Sequence, residues 1–203
     1  MEIFLDEDTI GSIKKLQDQS VEYNGQIVVD NGTVSSISYR QGQTMEPCLT
    51  GCTLNFHTHP PDYDNLYPDH PSLTDYVYIY TATCSLKELS AHLIFTPKFI
   101  YIIYYNCQHF FQGIYDRISI THRLEEIFGE LSSSNDRSTE EFRIKWMNAC
   151  QNLGFHVSRF KYTDKVVFFV PPRPFVFPTY YYIIFLCALL YCVYLTKKNL
   201  SSF

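Results

Sequence analysis

No block of lysine and arginine occurs in this chain. Its 16 Lys and Arg are scattered among 21 Asp and Glu, the net charge is -5 and the pI is about 5.8. Nucleic acid therefore has no electrostatic footprint to bind, and none is expected as a partner. The N-terminal stretch MEIFLDEDTIGSIKKL is acidic and has none of the basic-then-apolar layout of a signal peptide. Paired CxxC units are absent too. Of seven cysteines, Cys187 and Cys192 fall in an apolar stretch, and Cys48, Cys52, Cys84, Cys107 and Cys150 form an odd set. Neither a zinc ribbon nor a disulfide framework is indicated, and reduced, packed thiols are expected. There is no repeat and no low-complexity tract, and 203 residues are few for a (β/α)₈ barrel. Tryptophan occurs once, against 17 Tyr and 16 Phe. With 46% hydrophobic and 18% charged residues, a wholly disordered chain is excluded.

Part of the aromatic surplus lies near the C-terminus. Residues Thr179 to Leu195, TYYYIIFLCALLYCVYL, contain no charge, glycine or proline. As a helix they would span about 25 Å, the short end of what a bilayer requires. Tyr180, Tyr181 and Tyr182 at one end, Tyr191 and Tyr194 near the other, and Lys197-Lys198 beyond form an aromatic-belt and basic-flank pattern. Pro171, Pro172, Pro174 and Pro178 make a stiff linker ahead of it. The expected organisation is a domain over 1–170, a proline-rich linker over 171–178, a transmembrane helix over 179–195 and a short tail over 196–203. That is a single-pass, C-terminally anchored protein with its N-terminal domain facing the cytosol, and the short span suits a thin bilayer such as the endoplasmic reticulum.

The first 170 residues read as one α/β domain of the α+β type. Asp8 or Thr9 is expected to cap a helix carrying Ile10, Ile13 and Leu16 on one face. Asp30-Asn31-Gly32 between two apolar runs predicts a hairpin, because Asn-Gly supplies the positive φ of a tight turn. A strand is expected over Cys52 to His57, a helix over Asp75 to Leu89, and a second hairpin about Thr96-Pro97-Lys98. Spacing from Ile114 to Leu131 predicts a helix. Another should start at Ser138, with Glu141 completing a capping box, and stop near Gly154. Val166 to Val170 reads as a closing strand.

Chemistry concentrates in Asn55-Phe56-His57-Thr58-His59-Pro60, followed by Pro71-Ser72-Leu73-Thr74-Asp75. Two histidines at i and i+2 leaving a strand point to one face, so both imidazoles can reach one ion. Asp75, in the first turn of the next helix, can add a carboxylate. Two nitrogens and one oxygen leave a fourth tetrahedral position open, the layout of a catalytic zinc site. Asp62, Asp64, Asp69 and His70 are alternative ligands in the intervening loop. Asp75 is favoured because it alone has a serine three residues before it and a helix after it. Ser72 before that helix also reads as its N-cap, with Asp75 at N3. The isolated His92, His109, His122 and His156 read as structural.

Upstream, Glu22 is followed three residues later by Gly25 and then by a hydrophobic strand. Glu, then HTHP, then PSxxD, in this order of elements over about residues 8 to 105, resembles the JAMM (MPN-plus) zinc metalloprotease family. The resemblance implies an MPN-like mixed sheet flanked by helices, and one Zn²⁺ per chain held by His57, His59 and Asp75. It implies that Glu22 is the general base and that Ser72 stabilises the oxyanion or the water. It also implies an isopeptidase acting on ubiquitin or ubiquitin-like conjugates, here at a membrane surface. The loop from Pro60 to Pro71 is several residues longer than the usual family spacing and lies at the mouth of the site. A catalytically silent, membrane-anchored scaffold, or a virion or organelle membrane component, is the alternative expectation.

Overall fold

Asp6 starts the first helix. In the computed structural model, which describes residues 2–19, 21–42, 54–61, 69–86, 91–105, 115–134, 137 and 139–169, the Asp6 carboxylate accepts from the Thr9 amide at 2.6 Å. The helix, α1 (Glu7–Gln17), buries Ile10 and Ile13. The expected caps Asp8 and Thr9 lie inside its first turn, where Asp8 favours the positive end of the helix dipole. A short strand, β1 (Glu2–Leu5), precedes it with alternating exposed and buried residues. Four residues are too few for that alternation to be read from sequence.

The Asn31-Gly32 hairpin forms as expected between β2 (Tyr23–Asp30) and β3 (Thr33–Gln41), with φ of 50° and 84° at the two turn residues. Both being positive makes the turn match the twist of its strands. Further on come β4 (Leu54–Thr58), α2 (Leu73–Tyr80), β5 (Ala91–Phe95), β6 (Phe99–Tyr105), α3 (Tyr115–Ser134), α4 (Glu140–Asn152), β7 (Phe155–Lys161) and β8 (Val166–Phe169). The second helix starts two residues earlier than expected, because Ser72 caps it, and continues past Tyr80 as a π-helical stretch, Thr81–Leu86. Its β-leaning sequence is helical because Tyr76, Ile79 and Tyr80, at i, i+3 and i+4, all enter the core. The last helix is capped by Thr139, whose hydroxyl accepts from the Phe142 amide at 3.2 Å. Glu141 instead pairs with Lys145 at 2.7 Å, so the expected box is not made there.

The strands form one mixed sheet in the order β7-β6-β5-β4-β2-β3-β1-β8. Pairing of β4 with β5 is parallel, as is the single bridge of β1 to β3, and the other neighbours are antiparallel. Both β4 and β5 are buried along their whole length. Alternation then sorts their side chains between two cores. Leu54, Phe56, Leu93 and Phe95 pack with Ile10 and Ile13 of α1. Ile94 packs with Tyr76 of α2, Leu124 of α3, and Phe142 and Trp146 of α4. The fold is thus mixed α/β, with helices on both faces of the sheet. His57, out of phase with Phe56, faces α2.

The chain divides into two compact units, Met1–Arg173 and Pro174–Phe203, and every described residue lies in the first. Among the described residues no helix is long and apolar enough to cross a membrane. The expected linker, transmembrane helix and tail lie outside the described residues, as do Cys48, Cys52, Cys107, Asp62, Asp64, His109 and Ser138.

Gly25 shows how closely β2 meets its neighbours. A Cβ there would collide with the Ser38 carbonyl oxygen and come within 2.6 Å of the Phe56 ring. Gly25→Ala should therefore cost about 2–3 kcal/mol of stability, read as a lower urea midpoint. An unchanged midpoint would contradict this packing.

Candidate metal centre

The register of β2 on β4 brings the upstream and downstream parts of the motif together. Asn24 lies opposite His57, and continuing that antiparallel register by two residues sets Glu22 opposite His59. Two bonds hold the approach: Tyr23 N–H donates to Thr58 Oγ1 at 2.9 Å, and Gly42 N–H donates to the Glu22 carbonyl at 3.0 Å. His59 lies just past the end of β4. Its own N–H donates to the Phe95 carbonyl at 2.8 Å, and its carbonyl accepts from Gln17 Nε2 at 2.9 Å. Gln17, wholly buried at the last turn of α1, thus fixes the second histidine from the opposite face of the sheet.

Asp75 arrives from the helix. Ser72 N–H donates to Asp75 Oδ2 at 2.6 Å and Asp75 N–H donates to Ser72 Oγ at 3.2 Å, a complete capping box. Trp146 Nε1 donates to the Pro71 carbonyl at 3.1 Å and pins the residue just before the cap. With the helix start so held, Asp75 Oδ1 lies 3.3 Å from His57 Nε2 and Oδ2 lies 3.6 Å from His59 Nε2. The two Nε2 atoms are 2.9 Å apart. All three side chains are buried, and their ligand atoms lie within 4.8 Å of one another. No family model, curated protein or solved structure matches the chain.

His57, His59 and Asp75 could therefore hold a metal ion. The donor set fits one: at 2.9 Å the facing Nε2 atoms cannot both carry a proton, so at least one lone pair is turned inward beside a carboxylate. Burial lowers the His57 pKa to about 4, against the opposing pull of Asp75, and His59 adds to the lowering. His57 is thus a neutral imidazole at physiological pH, as a ligand must be. Burial alone would push the Asp75 carboxyl up, but His57, a bond from His59 and the Ser72 amide hold it below the usual carboxylate range. Glu22 is half-buried and outside the trio. Burial raises its pKa, His59 opposes the rise and Asp75 reinforces it.

Of the competing loop residues, Asp69 and His70 are described, and each is otherwise engaged. Asp69 Oδ2 pairs with Lys98 Nζ at 2.6 Å and Arg143 at 3.6 Å. His70 Nδ1 donates to the Pro71 carbonyl at 2.9 Å and its ring packs on Phe142. Of the histidines read as structural, His92 is not isolated: its Nε2 lies 2.7 Å from His57 Nδ1. One signal was visible beforehand, a polar residue in the otherwise apolar run Ala91-His92-Leu93-Ile94-Phe95. Gln17 had no such signal, because its partner is a backbone carbonyl 42 residues away.

Depressed imidazole pKa values give the metal-free fold a pH dependence with a definite sign. Between the unfolded value near 6.5 and the folded value near 4, the unfolded chain binds the extra proton, so stability falls as pH falls. His57 alone should cost the metal-free protein on the order of 2 kcal/mol between pH 7 and pH 5. Burial lowers His70 and His92 as well, in the same direction. Glu22 acts oppositely, its raised pKa favouring the fold as it protonates, and Glu22→Gln removes that term. Urea denaturation at the two pH values measures the difference. Equal stability in Glu22→Gln would show that these imidazoles are not desolvated.

Proposed function

We propose that the domain is a zinc-dependent hydrolase of isopeptide or peptide bonds, similar to the JAMM enzymes. Its substrates would be conjugates of ubiquitin or a ubiquitin-like protein. The apolar segment from Thr179 to Leu195 would hold it at a membrane, with the domain in the cytosol. What carries the reading is the buried convergence of two Nε2 atoms and one carboxylate, with a separate, half-buried carboxylate just ahead of the adjoining strand β2. Two neutral imidazoles and one carboxylate are the ligand set of open, catalytic zinc sites.

When bound, zinc supplies Lewis acidity, polarising a carbonyl and acidifying water near neutral pH. The chain supplies the rest. His57 and His59 would offer ring nitrogens, and Asp75 would offer the one negative charge among the ligands. Glu22 takes up a proton at its carboxylate and returns it to the leaving amine. Its raised pKa brings it closer to the working pH, where a base is best able to do both. Ser72 Oγ accepts the Asp75 amide with one lone pair. Its O–H remains to donate to an oxygen on which charge develops.

Elemental analysis of the purified chain should find one zinc, and a di-ubiquitin panel should show cleavage. Glu22→Gln should lower the rate by about 10²–10⁴-fold while retaining zinc. His57→Ala should lose both zinc and cleavage, with the fold verified by circular dichroism. Cleavage retained in both variants would overturn the reading, and wild-type protein with neither zinc nor cleavage would leave a silent scaffold.

A further inference from the structure

His92 stands in β5, beside β4 in parallel register, where it pairs with Asn55. It is 1% exposed. Its ring meets that of His57 edge to edge, centroids 4.9 Å apart and planes 30° from parallel. It is not one of the three converging ligands, and nothing in the proposed chemistry uses it.

The position is an expensive one for an imidazole. Ile94, two residues along on the same face, packs into an apolar core. His92 Nδ1 has no hydrogen-bond partner among the described residues, and a buried polar atom left so costs about 1–3 kcal/mol. An apolar side chain would avoid that cost. The favourable polar contact at His92 is the one to His57, Nε2 to Nδ1 at 2.7 Å.

Proton placement says what this contact does. A neutral imidazole has one N–H and one bare nitrogen. If His57 meets an ion through Nε2, its proton must be on Nδ1, and that N–H points at His92 Nε2. The bond forms only if His92 Nε2 is bare, so His92 carries its own proton on Nδ1 and both rings are neutral. A second proton on His92 would set two N–H groups against each other across 2.7 Å, in a site from which water is excluded.

We infer that His92 is a positioning residue for the metal centre: its Nε2 accepts the His57 Nδ1–H and fixes that ring's tautomer and direction, so that Nε2 faces the ion. This rests on the metal reading above. Ligating histidines usually give their second bond to a carboxylate, a carbonyl or water. A neutral imidazole in that place has a distinct consequence. It orients His57 without adding negative charge behind it, so Asp75 remains the only anionic ligand and the ion keeps more of its Lewis acidity. His92 is itself supported. Tyr78 packs edge-on against it at 5.4 Å, and Asn55 Nδ2 donates to the Tyr78 hydroxyl at 3.1 Å.

The test is a zinc titration of the full 203-residue chain against a chromophoric chelator, with ¹⁵N NMR of the imidazoles in the zinc-loaded wild type. The spectra should show His57 and His92 both protonated on Nδ1. His92→Phe keeps the ring and removes the acceptor, and should weaken zinc binding about 10–100-fold. His92→Gln restores an acceptor at Oε1 and should recover most of that loss. Zinc held as tightly by His92→Phe as by wild type would overturn the inference. So would a Gln variant as weak as Phe, since the loss would then be one of packing. A loaded His57 protonated on Nε2 would do the same, and that measurement stands even if His92→Phe does not fold. Wild-type protein that binds no zinc is a separate result, which removes the metal reading and this inference with it.

Discussion

Two imidazole nitrogens 2.9 Å apart beside a carboxylate, all out of water, are held together only if the surrounding chain leaves them nowhere else to go. Desolvating such groups is costly, and the cost is met by packing that does not involve the groups themselves. Each is fixed through its backbone from a different direction. His57 is in the interior of β4, paired on one side by β2 and on the other by β5. His59 is clamped between the Phe95 carbonyl and Gln17. Asp75 is set by the capping box and, one step back, by Trp146 on Pro71. The parallel pairing of β4 and β5 is what makes this work. It buries β4 on both edges and both faces, so strand exit and ligand direction are settled together.

The chain leading into α2 is held by charge as well. Asp69, buried, meets Lys98 and Arg143. Arg143 also pairs with Glu140 at 2.9 Å, and Glu140 with Arg159 at 2.6 Å. Tyr101 donates its hydroxyl to the Asp69 carbonyl at 2.7 Å. Exposed pairs in such a chain contribute little individually. Their geometric effect is larger, because they join α4, β6 and β7 to the residue three positions before the Ser72 cap. The start of α2, and with it Asp75, is thus anchored through Asp69.

Much of this was legible in the sequence, for identifiable reasons. His57 and His59 follow from the period of a strand, Asp75 and Ser72 from the grammar of helix caps, and the hairpin from Asn31-Gly32. All are local rules. Placement of Glu22 depended on a pattern spread over more than fifty residues, which strand register then brings within electrostatic reach of His59 and Asp75. What escaped was non-local or too short. His92 reads as an isolated histidine until β5 is known to lie beside β4. Gln17 acts through a backbone atom, which no side-chain pattern reveals. β1 has four residues and one alternation. The caps at Asp6 and Thr139 were displaced by one to three positions, because several acceptor side chains cluster there and only tertiary packing selects among them.

The pairing of β1 with β8, from Glu2 opposite Phe169 to Leu5 opposite Val166, bears on the order of assembly. Among the described residues, the strand that comes earliest in the sequence finds its principal partner in the one that comes last. Until that partner emerges, Ile3 and Leu5 have only part of their cover, and the contact that completes the sheet spans nearly the whole domain. Distant contacts of this kind form slowly, since loop closure precedes any return from them. The ligand-bearing centre, β4 with β5 and the short β5–β6 hairpin, can form without waiting for that edge. A chain stopped short of residue 166 would carry His57 on a sheet whose N-terminal strand is still seeking a neighbour, which leaves β1 open to pairing with another copy.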